Sequence, residues 1–379
     1  MGRINGQQRG LAMQFSYWIL LLLFYLLAAS QAIQSFSYKW TTIAVHQQYS
    51  LQKTLDDEPP KPYVYRALMP HLVNFIVDST PENYLEVLRN RSINTLRANI
   101  GDEVHLMGPK IVASYGVIIF LNFLLLVATL FVLRAMSRYV LSHERENGTE
   151  FLSDIAPVLF SLMLSLSYRV YNGFIYDHLE IFCLASYILL TIYRKSLLSM
   201  LLLVLAILNK ETAVFFPLLG TTLLLAVGNM KLNRTQFRKF ILETLVVLCG
   251  FVFIRYVFRD SSGGAVEFYA SGNFDFWFSM APWISITTPH LQLIPLPKPS
   301  NIIILIPIIF AIFFAWRQKP NIIRLPLTVS LFINLPLFFL FSYRDEFRNL
   351  SLTFPFIFLA TVHTIYYFYF KKSPLETQQ

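Results

Sequence analysis

The chain has 379 residues, 55% of them hydrophobic and only 14% charged, with a mean hydropathy of +0.52. A soluble domain carries about a quarter charged residues, so an ordinary water-soluble enzyme is excluded. The net charge of +9 lies in short basic clusters between apolar runs, which is how topology determinants are placed, and this excludes nucleic acid as the partner.

Apolar runs of spanning length recur from end to end and predict an all-α, polytopic bundle within a single membrane-embedded domain, 1–379. Ten spans are expected, at about 15–34, 111–136, 151–168, 175–193, 197–209, 213–228, 240–258, 299–316, 325–343 and 350–370. The first follows Arg3 and Arg9 and resembles a signal sequence with a cleavage point near Ala28–Ser30. The topology closes better with this helix retained.

A long connection, 35–110, comes next. It carries Asp56, Asp57 and Glu58, then prolines, then Tyr65-Arg66-Ala67-Leu68-Met69-Pro70-His71-Leu72. One reading is a carboxylate base beside an arginine that can hold a phosphate, on a loop stiffened by proline. The other is an acidic turn that caps a helix starting near Arg66. Two amphipathic helices are expected in this connection, near 66–78 and 81–98. Leu68, Leu72, Phe75 and Ile76 form a stripe suited to the membrane surface. Asn90-Arg91-Ser92 fits a glycosylation sequon.

Between the third and fourth spans lies a polar hairpin with Arg169, Asp177 and Glu180. The two acids are three apart and share a helix face. They suit a helix N-terminus, but Glu180 is set in an apolar run, where an acid faces a cavity or a partner. The fifth and sixth spans are short and split by Asn209-Lys210-Glu211-Thr212, either a tight turn or a break inside one helix that faces substrate. The connection 259–298 is rich in aromatics, with Asp260, Glu267 and Asp275 as secondary acids. Interfacial anchoring accounts for such aromatics, and so does stacking on sugar. Before the last span comes Tyr343-Arg344-Asp345-Glu346-Phe347-Arg348-Asn349, a solvated ion network or a clamp for phosphate or sugar.

Counting Lys and Arg over the connections puts both termini in the cytoplasm. The two long connections and all four polar constellations then fall on the opposite side. No glycine-rich phosphate loop is present, so an activated substrate arrives as a lipid or from outside. Cys183 and Cys249 lie in apolar segments, and the histidines show no metal-ligand spacing. The function classes left open are a membrane transferase, a carrier or flippase of a lipid-linked glycan or small solute, and a polysaccharide polymerase or ligase. A structural subunit explains the polar motifs poorly.

At Asp57, Tyr65–Leu72, Asn209–Thr212 and Arg344–Arg348 the chain resembles bacterial multi-pass glycosyltransferases of the GT-C superfamily. It lacks the large C-terminal soluble domain of some members. The resemblance implies transfer of a sugar, with inversion, from a polyprenyl-phosphate-linked donor to a glycan, lipid or protein acceptor, outside the cytoplasmic face of a bacterial plasma membrane. Asp57 would be the general base, with Asp56 and Glu58 as rivals. Arg66, Lys210, Arg344 and Arg348 would hold the leaving phosphate. Glu180 and Glu211 would orient them or bind sugar hydroxyls, and Tyr65, Arg169, Asp177 and Glu346 would complete the binding site. Some members use a divalent metal, Mg or Mn, and others none; the sequence leaves both open.

Overall fold

The computed structural model describes residues 6–44, 50–142, 148–170, 173–228, 230–231, 233–264, 267–287 and 295–370. The first helix, α1 (Gly6–Ala44), runs without interruption past Ala28–Ser30. Tyr25, Ala29, Ala32 and Phe36 recur at helical spacing and are fully buried. They make a face that packs on α5 (Pro109–Leu141) and α6 (Thr149–Val170). Ser161 of α6 donates a hydrogen bond to the Ala28 carbonyl at 2.6 Å. Near the start of α6, buried Asp154 accepts from Arg134 Nε at 2.6 Å, from Arg138 Nη2 at 3.0 Å and from the Tyr17 hydroxyl. This carboxylate ties α1, α5 and α6 together.

The first long connection is helical. Ser50 caps α2 (Leu51–Leu55), and α3 (Leu68–Ser79) and α4 (Glu82–Ile100) follow. The two helices expected there are present, but α3 has two apolar faces. Met69, Val73 and Val77 point inward, whereas Leu72 and Phe75 face out, Phe75 being 70% exposed. The sequon is not a surface turn: it lies within α4, and its Ser92 is buried against Gly116.

Next come α7 (Asp177–Ile192), α8 (Ser196–Asn209) and α9 (Phe216–Val227). Lys210 adopts an extended conformation, and a 3-10 turn over Glu211–Phe215 leads into α9. The chain reverses here, because Ser199 and Gly220 both return to the level of Tyr187. The fifth and sixth expected spans are therefore separate helices, not one broken rod. At that level Glu243 of α10 (Arg234–Val257) accepts from Tyr187 at 2.8 Å and Ser199 at 2.9 Å, with Lys239 3.5 Å away.

Beyond α10 lie α11 (Ala270–Phe278), α12 (Ala281–Ile284) and two short antiparallel strands, β1 (Ile286–Thr287) and β2 (Leu296–Pro297), in which Ile286 opposes Pro297. This pair is a small departure from the all-α expectation. The chain ends in α13 (Ile302–Phe313), α14 (Asn321–Phe341) and α15 (Phe354–Tyr369). The end of α14 leaves carbonyls without helical partners, and the α11 region fills them. Tyr269 N–H donates to Leu340 O at 2.9 Å, and Asn273 Nδ2 to Phe339 O and Ser342 O at 2.9 and 2.6 Å.

Each of the ten expected spans coincides with a helix. Among the described residues, six helices are long and apolar enough to cross a membrane: Gln14–Ser37, Pro109–Leu141, Thr149–Tyr168, Arg234–Val257, Asn321–Phe341 and Phe347–Tyr369. Of the shorter ones, α8 ends at the extended Lys210, α9 at Gly228 and α13 just before the left-handed Ala315. The architecture is that of an almost wholly helical integral membrane protein.

Candidate functional site

Three cations organise one end of the bundle, Lys210 and Arg348 buried and Arg66 partly buried, each matched to carboxylates. The first turn of α7 presents Asp177 and Glu180 on one face, both 2% exposed. Lys210, straightened out of α8, sends its ammonium between them, 2.7 Å from Glu180 and 3.7 Å from Asp177. Thr212 donates to the second Glu180 oxygen at 2.6 Å. From the turn before α15, Arg348 donates to Asp177 at 3.0 Å and, through Nε, to Glu346 at 2.9 Å. Its guanidinium lies 4.1 Å over the Phe174 ring. Arg66 grips Glu211 with two bonds of 2.8 and 3.3 Å, a third donor meets the Tyr176 hydroxyl, and its plane stacks 4.4 Å from the Tyr176 ring. Burial works against the charge on Arg66, but Glu211 and Tyr176 outweigh it and hold its pKa well above the ordinary value. Such pairing is what buried charge requires.

These groups border a cavity of about 430 Å³, within the range of sites that hold small molecules. Its polar side includes Arg66, Lys210, Glu211, Glu346 and Arg348, and Tyr65 also lines it. Asp177 and Glu180 do not reach the lining; they stand behind Lys210 and Arg348. Glu267 lines the cavity too and accepts from the hydroxyls of Tyr63 at 3.1 Å and Tyr269 at 2.8 Å. Burial pushes the Tyr63 phenol above its ordinary range. The opposite side is apolar, with Leu248 and Phe251 from α10 and Leu337 and Phe341 from α14. Both helices pack on α9, one wall each. The arrangement suits a ligand with one polar and one apolar part.

Not every predicted site residue arrives there. Asp56, Asp57 and Glu58 do not line the cavity. Asp56 ends α2 and accepts from Gln52, and the Glu58 N–H closes the same turn on Lys53 O. These two close the C-terminal end of α2 and do not cap the helix after Arg66, since α3 starts from Ala67 without a side-chain cap. Asp57 sits in the left-handed region, with φ of 58°, and its carboxylate is 3.6 Å from His71 Nε2. Partial burial raises its pKa above the ordinary value, against the pull of His71. Arg344 is exposed, rests over the Phe276 and Tyr343 rings, and does not reach the lining. The side chain of Arg169 lies outside the described residues.

Among the lining residues that escaped the sequence reading are Arg255 of α10 and Asn334 of α14. Both sit within expected spans, where a polar side chain in an apolar helix was the available signal. Among the described residues, no group of three or more His, Cys, Asp or Glu is arranged to hold a metal ion. No known protein family matches the chain, and no curated protein or solved structure does.

Proposed function

We propose that the protein is a GT-C-type glycosyltransferase. It moves a sugar from a polyprenyl-phosphate-linked donor to an acceptor at the membrane face that the Lys and Arg distribution places outside the cytoplasm. One observation carries the reading. Tyr65-Arg66, the Asn209–Thr212 turn and the Tyr343–Asn349 motif, far apart in the chain, border one cavity whose other wall is apolar and belongs to two span-length helices. A lipid-linked sugar has that two-part character. In this reading the paired ions form a rigid polar floor for sugar hydroxyls, and preorganised charge of this kind is what stabilises a transition state. Two carboxylates compete as base for the acceptor hydroxyl: Asp57, beside His71 on the loop, and Glu267, inside the cavity.

A carrier needs a site near the midplane that opens to both faces. Asp154, Glu180 and Glu243, the acids nearest to qualifying, are closed in by their own partners, so no observation favours that reading.

The test is turnover by the purified chain in nanodiscs supplied with prenyl-phosphate-linked sugars, read as prenyl phosphate released together with glycosylated acceptor. Wild type turns over, and Arg66→Gln loses about 10²-fold or more. Asp57→Asn and Glu267→Gln decide the base, since only one of them abolishes turnover. Release of no prenyl phosphate from any lipid-linked sugar, with the same lipids crossing a proteoliposome bilayer, overturns the transferase in favour of a carrier.

A further inference from the structure

The cations on the polar floor are spoken for: Arg66 by Glu211, Lys210 by Glu180, Arg348 by Asp177 and Glu346. Arg255 differs. It lines the same cavity from the α10 wall and makes no ion pair among the described residues. Its Nε is buried and has no hydrogen-bond partner. The guanidinium rests 4.3 Å over the Phe251 ring and 5.5 Å from that of Tyr65. Aromatic faces hold its position without neutralising it.

A second donor shares this condition. Asn334 of α14 is 1% exposed, lines the cavity, and its Nδ2 has no acceptor. Buried donors are nearly always satisfied, because leaving one unmatched is costly. Two such donors on two walls of one cavity call for the same complement, a ligand rich in acceptor oxygens. Over the rest of the polar side Arg66, Lys210 and Arg348 are already matched by carboxylates of the lining or behind it, and Glu267 adds a further negative charge. Arg255 is thus where an anion gains.

We propose that Arg255 and Asn334 form an anion subsite that takes the phosphoryl group of an amphiphile, whose hydrocarbon lies along Leu248, Phe251 and Leu337. This moves the phosphate away from Arg66, Lys210, Arg344 and Arg348, where the resemblance had put it, to a guanidinium with no ion-pair partner among the described residues. A guanidinium presents forked donors to phosphate. The paired floor is then left to the group esterified to that phosphate. The identity of that group as a sugar rests on the transferase reading; the anion subsite does not.

The experiment uses the full chain in phosphatidylcholine nanodiscs, with farnesyl phosphate, farnesol and inorganic phosphate as probes in equilibrium titrations. Farnesyl phosphate is expected to bind wild type at least tenfold more tightly than farnesol does. Arg255→Gln weakens farnesyl phosphate about tenfold to a hundredfold, the range for losing a charged hydrogen bond. Arg255→Lys, which keeps the charge but loses the fork, falls between, and Asn334→Leu weakens binding about threefold to tenfold. Arg259→Gln, at an exposed arginine paired with Asp260, binds as wild type. Unfolding temperatures confirm that each variant folds. Binding by Arg255→Gln within about twofold of wild type overturns the subsite, as does farnesol binding as tightly as its phosphate. Inorganic phosphate binding as tightly as farnesyl phosphate overturns the amphiphile. If Arg255→Gln loses binding while wild type transfers no sugar, the transferase reading falls alone. If sugar is transferred and Arg255→Gln leaves KM unchanged, the subsite falls alone.

Discussion

Replacing Lys210 by methionine tests whether the paired floor is a coupled unit. Lys210 and Glu180 are 2.7 Å apart, with side chains only 5% and 2% exposed. Lys210→Met leaves the Glu180 carboxylate buried, with the Thr212 hydroxyl still donating to it. Stranding one partner of a buried pair costs about 3–5 kcal/mol, whereas replacing both with apolar groups of similar volume is close to neutral. Lys210→Met should therefore cost about 3–5 kcal/mol. Glu180→Leu should cost less, because Asp177 stays within 3.7 Å of the ammonium. The double variant should recover most of the loss, apart from about 1 kcal/mol for the Thr212 hydrogen bond. Reversible unfolding in mixed micelles, scored as a double-mutant cycle, should give an interaction energy of about 3 kcal/mol. Additivity within about 0.5 kcal/mol refutes the coupling. Turnover should stay lost in the double variant even where folding returns, since its floor no longer carries charge at this position.

Three further outcomes follow from particular groups. Activity that needs ionised Asp57 should rise with pH through a limb above the ordinary carboxylate value, because partial burial raises that pKa; His71→Ala should move the limb higher still, read from kcat/KM profiles. Lys319 is buried in the turn before α14, where its ammonium donates to Ala360 O at 3.0 Å and Thr364 Oγ1 at 2.6 Å, and desolvation lowers its pKa to about 8. In that window the unfolded chain holds the extra proton, so stability should climb from about pH 8 up to the ordinary lysine value, and Lys319→Met should flatten the rise in unfolding titrations. Gly220→Ala should destabilise by about 1–3 kcal/mol, since the new methyl meets the Tyr187 hydroxyl that holds Glu243.

Much of the frame was legible because the bilayer imposes simple rules on sequence. Apolar runs marked where helices lie. They did not set helix lengths, since α8 ends where Lys210 must straighten to reach Glu180 and Asp177, a demand created by residues elsewhere in the chain. The charged motifs were visible as charges that needed partners, but not with which partners: Arg348 meets Asp177 across a separation of 171 residues. Nearness in sequence misled in the first loop. Asp57 and Arg66 are close neighbours along the chain, yet Arg66 turns into the cavity while Asp57 stays beside His71. Arg255 and Asn334 were hidden for the opposite reason, each a polar residue flanked by apolar ones within an expected span.

The bonds from the start of α11 to the end of α14 tie the first part of the second long loop to the cavity. Residues 269–273 are held in step with α14 by their own backbone and by Asn273, and Tyr269 at their head reaches the cavity. A residue inserted here would shift the phenol that meets Glu267 and so reshape the mouth. Insertions beyond α11 carry no such leverage. Length variation in this loop is therefore more expensive before Phe278 than after it, and the mouth of the cavity can keep its shape while the loop changes length elsewhere.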